Sequence, residues 1–198
     1  MGSNLHVIED HPLRGGWWLL DAETNGFDPM TDDIIMVRLA YMENYEIGQE
    51  LSFCVRPKYL ASPGIVRLTK YTAKDTEQAI PIRIAVRRVG LLVLDAPLLI
   101  YHFDFLFPFF RVAFHHHAEK EFDFPCLSLE WLAMHILGLE KKERLDALAM
   151  RFPAPKNKAP QNVELSLLYR AAASTLMQAE ADGMGQVKEL LSIFGDVP

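Results

Sequence analysis

The chain has 198 residues, half of them hydrophobic, with 20 basic against 26 acidic side chains and a formal net charge of −6. This apolar content excludes a disordered chain, and the only two cysteines, Cys54 and Cys126, are too few for a disulfide scaffold and match no metal-ligand spacing. They read as reduced, buried thiols of an intracellular protein, and the acidic balance argues against nucleic-acid binding through non-specific charge alone.

Residues 1–16 form a loose polar lead-in without the apolar run of a signal peptide, ending at Gly15-Gly16, and residues 17–198 read as one domain. Trp17 to Leu20 is a short strand closed by Thr24-Asn25-Gly26 and Asp28-Pro29. Ile34 to Tyr41 and Glu50 to Val55 are two further strands, joined by a turn over Tyr45 to Gln49, and Pro57 to Gly64 is a loop. Apolar residues then recur at helical spacing from Thr76 to Val93, with Pro81 in the first turn. Leu98 to Tyr101 is a buried strand and Phe105 to His117 an apolar helix. The span Val89 to Phe110 is long enough for a membrane, but Asp95, Pro97, His102, Asp104 and Pro108 make it a buried strand running into a buried helix. The expectation is a soluble, cytoplasmic protein without a membrane segment. Helices follow at Leu129 to Leu139, stopped near Gly138, then at Arg144 to Phe152, Asn162 to Gln178 and Gly185 to Phe194. Strands, a helix, a strand and more helices give an α/β fold, a mixed central sheet flanked by helices.

The sharpest local signal is Asp21-Ala22-Glu23-Thr24-Asn25-Gly26. Residues two apart on a strand project to one face, so Asp21 and Glu23 stand side by side behind an apolar run. Two such charges need a cation or strong donors, and a hard divalent ion, Mg²⁺ or Mn²⁺, supplies one. The alternative is an exposed acidic turn.

The hexapeptide D-x-E-T-x-G after an apolar strand resembles the first motif of the DEDD 3′–5′ exonucleases, the DnaQ-like nucleases that include the epsilon subunit of bacterial DNA polymerase III. The likeness continues through IIMVRLAY and ELSFCVRP, which match two antiparallel strands, and loosely through Pro63 to Thr72. Phe103-Asp104-Phe105-Leu106-Phe107 resembles the second motif, F-D-x-x-F, and Arg144 to Ala149 the helix before the third. The resemblance spans roughly residues 17–175. It implies a ribonuclease H-like fold and a two-metal hydrolysis of phosphodiester bonds at the 3′ ends of single-stranded DNA or RNA. Asp21, Glu23 and Asp104 would then hold the metal ions, and Thr24, Gly26 and Phe103 would lie near the terminal nucleotide.

The third motif departs from the family pattern, H-x-x-x-x-D. Its best register places Asn157 at the general-base position and Asn162 at the fourth acid. An Asn keeps an oxygen but loses the charge, and losing a general base typically removes about 10²- to 10⁴-fold in rate. Glu164, two residues on, and His102, which on a regular strand shares a face with Asp104, are the candidates for compensation. His115-His116-His117 read as a solvated helix end, because consecutive helical residues diverge by about 100°. Arg83, Arg87 and Arg88 read as a solvated helix face. Two functional readings follow. One is a metal-dependent 3′–5′ exonuclease of reduced activity. The other is an inactive exonuclease-fold module for nucleic-acid or protein binding, with a polymerase or another replication or repair protein among its partners.

Overall fold

The structure, a computed structural model, describes residues 9–59, 61–118, 121–151 and 159–194. A six-stranded mixed sheet carries it, in the order β4-β3-β2-β1-β5-β6. The strands are β1 (Trp17–Thr24), β2 (Ile34–Glu43), β3 (Glu46–Arg56), β4 (Ile80–Pro81), β5 (Leu98–Ile100) and β6 (Cys126–Ser128). The β1, β2 and β3 strands form an antiparallel meander, while β5 lies parallel to β1 and β6 parallel to β5. The helices are α1 (Pro63–Thr69), α2 (Ala73–Gln78), α3 (Ile82–Leu92), α4 (Phe103–His117), α5 (Leu129–Ile136), α6 (Leu145–Met150), α7 (Val163–Ala181) and α8 (Val187–Phe194).

Alternation along β1 sorts its side chains to two cores. Trp17 and Leu19 join Ala40, Met42, Leu99 and Tyr101 against α5, α6, α7 and α8. Trp18, Leu20 and Ala22 join Val37, Leu39 and Ile100 against α3 and α4. The strand is therefore buried on both faces, and its last outward pair on the α7 side is Asp21 and Glu23. No helix among the described residues is long and apolar enough to cross a membrane.

Several boundaries differ from the sequence reading, each for a local reason. The β2–β3 turn is the two-residue Asn44-Tyr45, both with positive φ (51° and 61°), rather than Tyr45 to Gln49. Gly48, which reads as a turn signal, is instead the extra residue of a bulge between the Tyr41–Gln49 and Met42–Ile47 pairs. Pro81 does not sit inside one helix from Thr76 to Val93: it ends the short β4 and separates α2 from α3. Helix α1, which overlaps the expected Pro57 to Gly64 loop at Pro63 and Gly64, is capped by Ser62, whose hydroxyl accepts from the Ile65 amide. Strand β6 is three residues long, too short to show a period. The lead-in is packed where it is described. Leu13 is 1% exposed, its amide donates to the Gly185 carbonyl, the Val187 amide donates to the His11 carbonyl, and Arg14 pairs with Glu180 at 2.5 Å.

Candidate functional site

Strand β1 runs through its acidic residues rather than stopping before them, and a register shift between Glu23 and Thr24 marks its end. Asp21 lies directly opposite Arg38 of β2 in the antiparallel ladder. Opposed residues share a face, so the guanidinium is delivered onto the carboxylates by the register itself. Arg38 Nη1 donates to Asp21 Oδ2 at 2.7 Å and to Glu23 Oε1 at 3.1 Å. The Arg38 side chain is only 6% exposed, against 21% for Asp21 and 29% for Glu23. Its Nε is buried without a hydrogen-bond partner. Burial pushes the carboxyls of both Asp21 and Glu23 above the ordinary range, and Arg38 opposes that rise. Burial works against the Arg38 charge too, but the two carboxylates more than offset it.

Asp104 enters from the next strand. β5 ends at Ile100, and His102 takes a left-handed conformation (φ 52°) that turns the chain into α4, with Asp104 in the first helical turn. His102 and Asp104 thus do not share a strand face, contrary to the sequence reading. His102 Nδ1 stands 3.5 Å from Oε1 of the buried Glu130. Asp104 is exposed and accepts from Lys142 Nζ at 2.6 Å, with Glu130 Oε2 a further 3.6 Å from the same ammonium.

Of the third-motif pair, Asn162 is the one among the described residues. Asn162 is the N-cap of α7, and its Oδ1 accepts from the Leu165 amide at 3.0 Å. Asn157 lies outside the described residues. Glu164, in the first turn of α7, is near enough to raise both Asp21 and Glu23 electrostatically.

The sequence profile of the RNase_T family, an exonuclease family, matches residues 19–159. The chain belongs to this exonuclease family. Among solved structures, zinc-bound E. coli exonuclease I with single-stranded DNA is similar at TM-score 0.64 and 18% identity, over 86% of this chain and 41% of that one. E. coli exonuclease I with a dA16 oligonucleotide gives 0.66 and 18%, over 84% and 41%. An ExoI/SSB-Ct complex gives 0.67 and 16%, over 86% and 42%. At these identities the likeness is one of fold, and the chain spans less than half the length of these neighbours. No curated protein sequence matches it.

Members of this family generally depend on divalent metal ions. Among the described residues, no group of three or more His, Cys, Asp or Glu side chains is placed to hold a metal ion. Asp21 and Glu23 are bridged by a guanidinium, Asp104 is bound to Lys142, and the Asn162 oxygen caps a helix. These residues as arranged do not fit a two-metal centre.

The remaining predicted residues have local duties. Thr24 is buried and its hydroxyl donates to the Gly26 carbonyl at 2.6 Å. Gly26 has no room for a Cβ, which would meet the Asp32 carboxylate. Phe103 is half-buried and stacks on Phe107 with ring centroids 4.8 Å apart. His115 is exposed and pairs with Glu121 at 3.0 Å, and Arg83, Arg87 and Arg88 are exposed on α3. Sequence reasoning missed Arg38, Lys142 and Phe27, which is 75% exposed with its ring centroid 6.1 Å from that of Phe105. Arg38 carried a signal: it is the only charged residue in the run IIMVRLAY.

Proposed function

We propose that this chain uses the exonuclease fold to grip the 3′ ends of single-stranded DNA, with strongly reduced phosphodiester hydrolysis. The observation that carries the reading is the placement of the Asp21–Glu23 pair at the end of the central strand, four residues before the exposed Phe27 and its partner Phe105. An exposed aromatic pair just past the end of β1 can stack bases of any sequence, which suits an acidic chain with little positive charge to hold a long duplex. The exonuclease I structures similar in fold hold single-stranded DNA and a dA16 oligonucleotide, which supports the choice of ligand. Reduced hydrolysis follows from the internal cations already paired with Asp21, Glu23 and Asp104. A replication or repair protein as partner belongs to the same proposal, supported by the ExoI/SSB-Ct neighbour. The second reading, an active Mg²⁺- or Mn²⁺-dependent exonuclease, is favoured by Glu164, whose charge reaches Asp21 and Glu23 and could complete the acids.

Fluorescence anisotropy with a 5′-labelled single strand tests the first reading. The chain should bind the single strand in preference to a blunt duplex, and Phe27→Ala with Phe105→Ala should weaken binding about tenfold, in the range of one lost stacking contact. Equal affinity for the duplex, or none for the single strand, would overturn it. Release of 3′-terminal nucleotides with Mn²⁺, lost in both Asp21→Ala and Glu164→Gln, would establish the second reading instead.

A further inference from the structure

We infer that Arg38 is a resident counter-cation of Asp21 and Glu23, holding the place of a divalent metal ion and excluding it until the guanidinium is withdrawn. The inference concerns the same carboxylate pair as the proposed function but does not depend on nucleic-acid binding.

The geometry begins with one nitrogen. Nη1 alone reaches both carboxylates, at 2.7 and 3.1 Å, so it stands between them where a shared ion would sit. A hard ion binds carboxylate oxygen at about 2.0–2.6 Å. An ion drawn to the same Oδ2 and Oε1 would therefore collide with Nη1. Charge leads to the same conclusion. Two carboxylates and one guanidinium leave one negative charge, to which Glu164 adds, whereas a divalent ion added to that trio sets two cations against the same pair of oxygens. Either cation satisfies the pair, and the two together repel at close range.

The arginine is also not there by chance of a flexible chain. Arg38 sits in the middle of β2, fixed opposite Asp21 by the ladder, and its side chain is nearly sealed from water. A buried guanidinium is costly unless its charge is matched, and Asp21 and Glu23 are the partners that match it. Yet the hold is not the strongest an arginine can make. Both hydrogen bonds come from Nη1, with Nε buried and unpartnered, so the two-pronged fork is not formed. Such a contact is weaker than a fork, and substituting the side chain frees both carboxylates without altering the strand that carries them. With Arg38 gone, Asp21 and Glu23 would face an ion together, and Glu164 at the start of α7 is the acid best placed to approach it.

Isothermal calorimetry with Mn²⁺ alone, on the full chain stripped of metal, tests the inference. Wild type should show no saturable site that Asp21→Ala removes. Arg38→Ala should gain such a site, at least about tenfold tighter than any residual binding by wild type, equivalent to about 1.4 kcal/mol. The combination Arg38→Ala with Asp21→Ala should lose it again. Arg38→Gln, which keeps a donor and much of the volume but no charge, should also bind. If Arg38→Ala folds only when Mn²⁺ is added, as followed by circular dichroism, the inference is supported. Wild-type binding as tight as that of Arg38→Ala and dependent on Asp21 would overturn it, as would folded Arg38→Gln that binds no Mn²⁺. Neither outcome touches the anisotropy result, so the two proposals fail separately.

Discussion

Replacing Arg38 with Met in metal-free buffer isolates what the guanidinium does for stability. Met keeps an apolar stem of similar reach and removes the charge, leaving Asp21 and Glu23 facing each other on one strand face. Removing one partner of a buried ion pair costs roughly 3–5 kcal/mol, because the remaining charge is uncompensated. The lower end applies here, about 3 kcal/mol, since Asp21 and Glu23 keep 21% and 29% of their side-chain exposure and retain some water. For a chain of this length each kcal/mol moves the melting temperature by roughly 2–4 °C, so Arg38→Met should melt about 6–12 °C lower. The loss has a pH signature. Without Arg38 the folded carboxyl pKa values rise further above their unfolded values, so the folded state gains by holding protons. The deficit is therefore full above the folded values and vanishes as pH falls below the ordinary carboxylate range, about 4. Adding Asp21→Asn and Glu23→Gln to Arg38→Met removes the stranded charges and should recover most of the loss. Thermal melts by circular dichroism at pH 8 and pH 5 measure all of this. An Arg38→Met variant that melts within a degree of wild type at pH 8 would refute the argument that the guanidinium neutralises the pair.

Three further outcomes follow from features away from that triad. Asn162→Ala removes the side-chain cap of α7 and should cost about 1 kcal/mol, whereas Asn162→Asp, an equally good cap, should melt close to wild type; urea titration distinguishes the two. Burial pushes the Cys126 thiol up to about 12 and raises Cys54 as well, so Cys126 should be the slower to react with iodoacetamide in the native state, read by peptide mass spectrometry, and equal rates would contradict it. The Asp75 carboxyl is held below its ordinary range by the Thr72 hydroxyl and amide of the α2 capping box. A depressed carboxyl contributes stability above its unfolded pKa and loses it as pH falls through the folded value, so Asp75→Asn should flatten the acid limb of the melting curve.

How much of this was legible in the sequence depends on what each feature rests on. The meander of β1, β2 and β3 follows from apolar runs, and Asp21 and Glu23 share a face because strand periodicity alone puts them there. Residues that depend on register or on a single dihedral angle were not visible. Arg38 meets Asp21 only because the Asn44-Tyr45 turn sets the pairing, and Gly48 suggested a different turn. His102 was placed beside Asp104 on an extended strand, but the left-handed residue at that position turns the chain into α4. Lys142 comes from a segment 38 residues downstream of the aspartate it binds, a distance no local pattern spans. Asn162 illustrates a residue with two compatible readings. The same polar side chain ahead of an apolar helix serves as a weakened ligand position or as a helix cap, and here its oxygen is bound to the Leu165 amide.

In the proposal above, the carboxylate pair of β1 is neutralised by the chain's own arginine. Crystals soaked in Mn²⁺ and measured at the manganese absorption edge test it most directly. Arg38 Nη1 is expected between Asp21 and Glu23, with no anomalous peak bonded to either carboxylate. A manganese ion held by both carboxylates, with the Arg38 side chain turned out of the site, would contradict it.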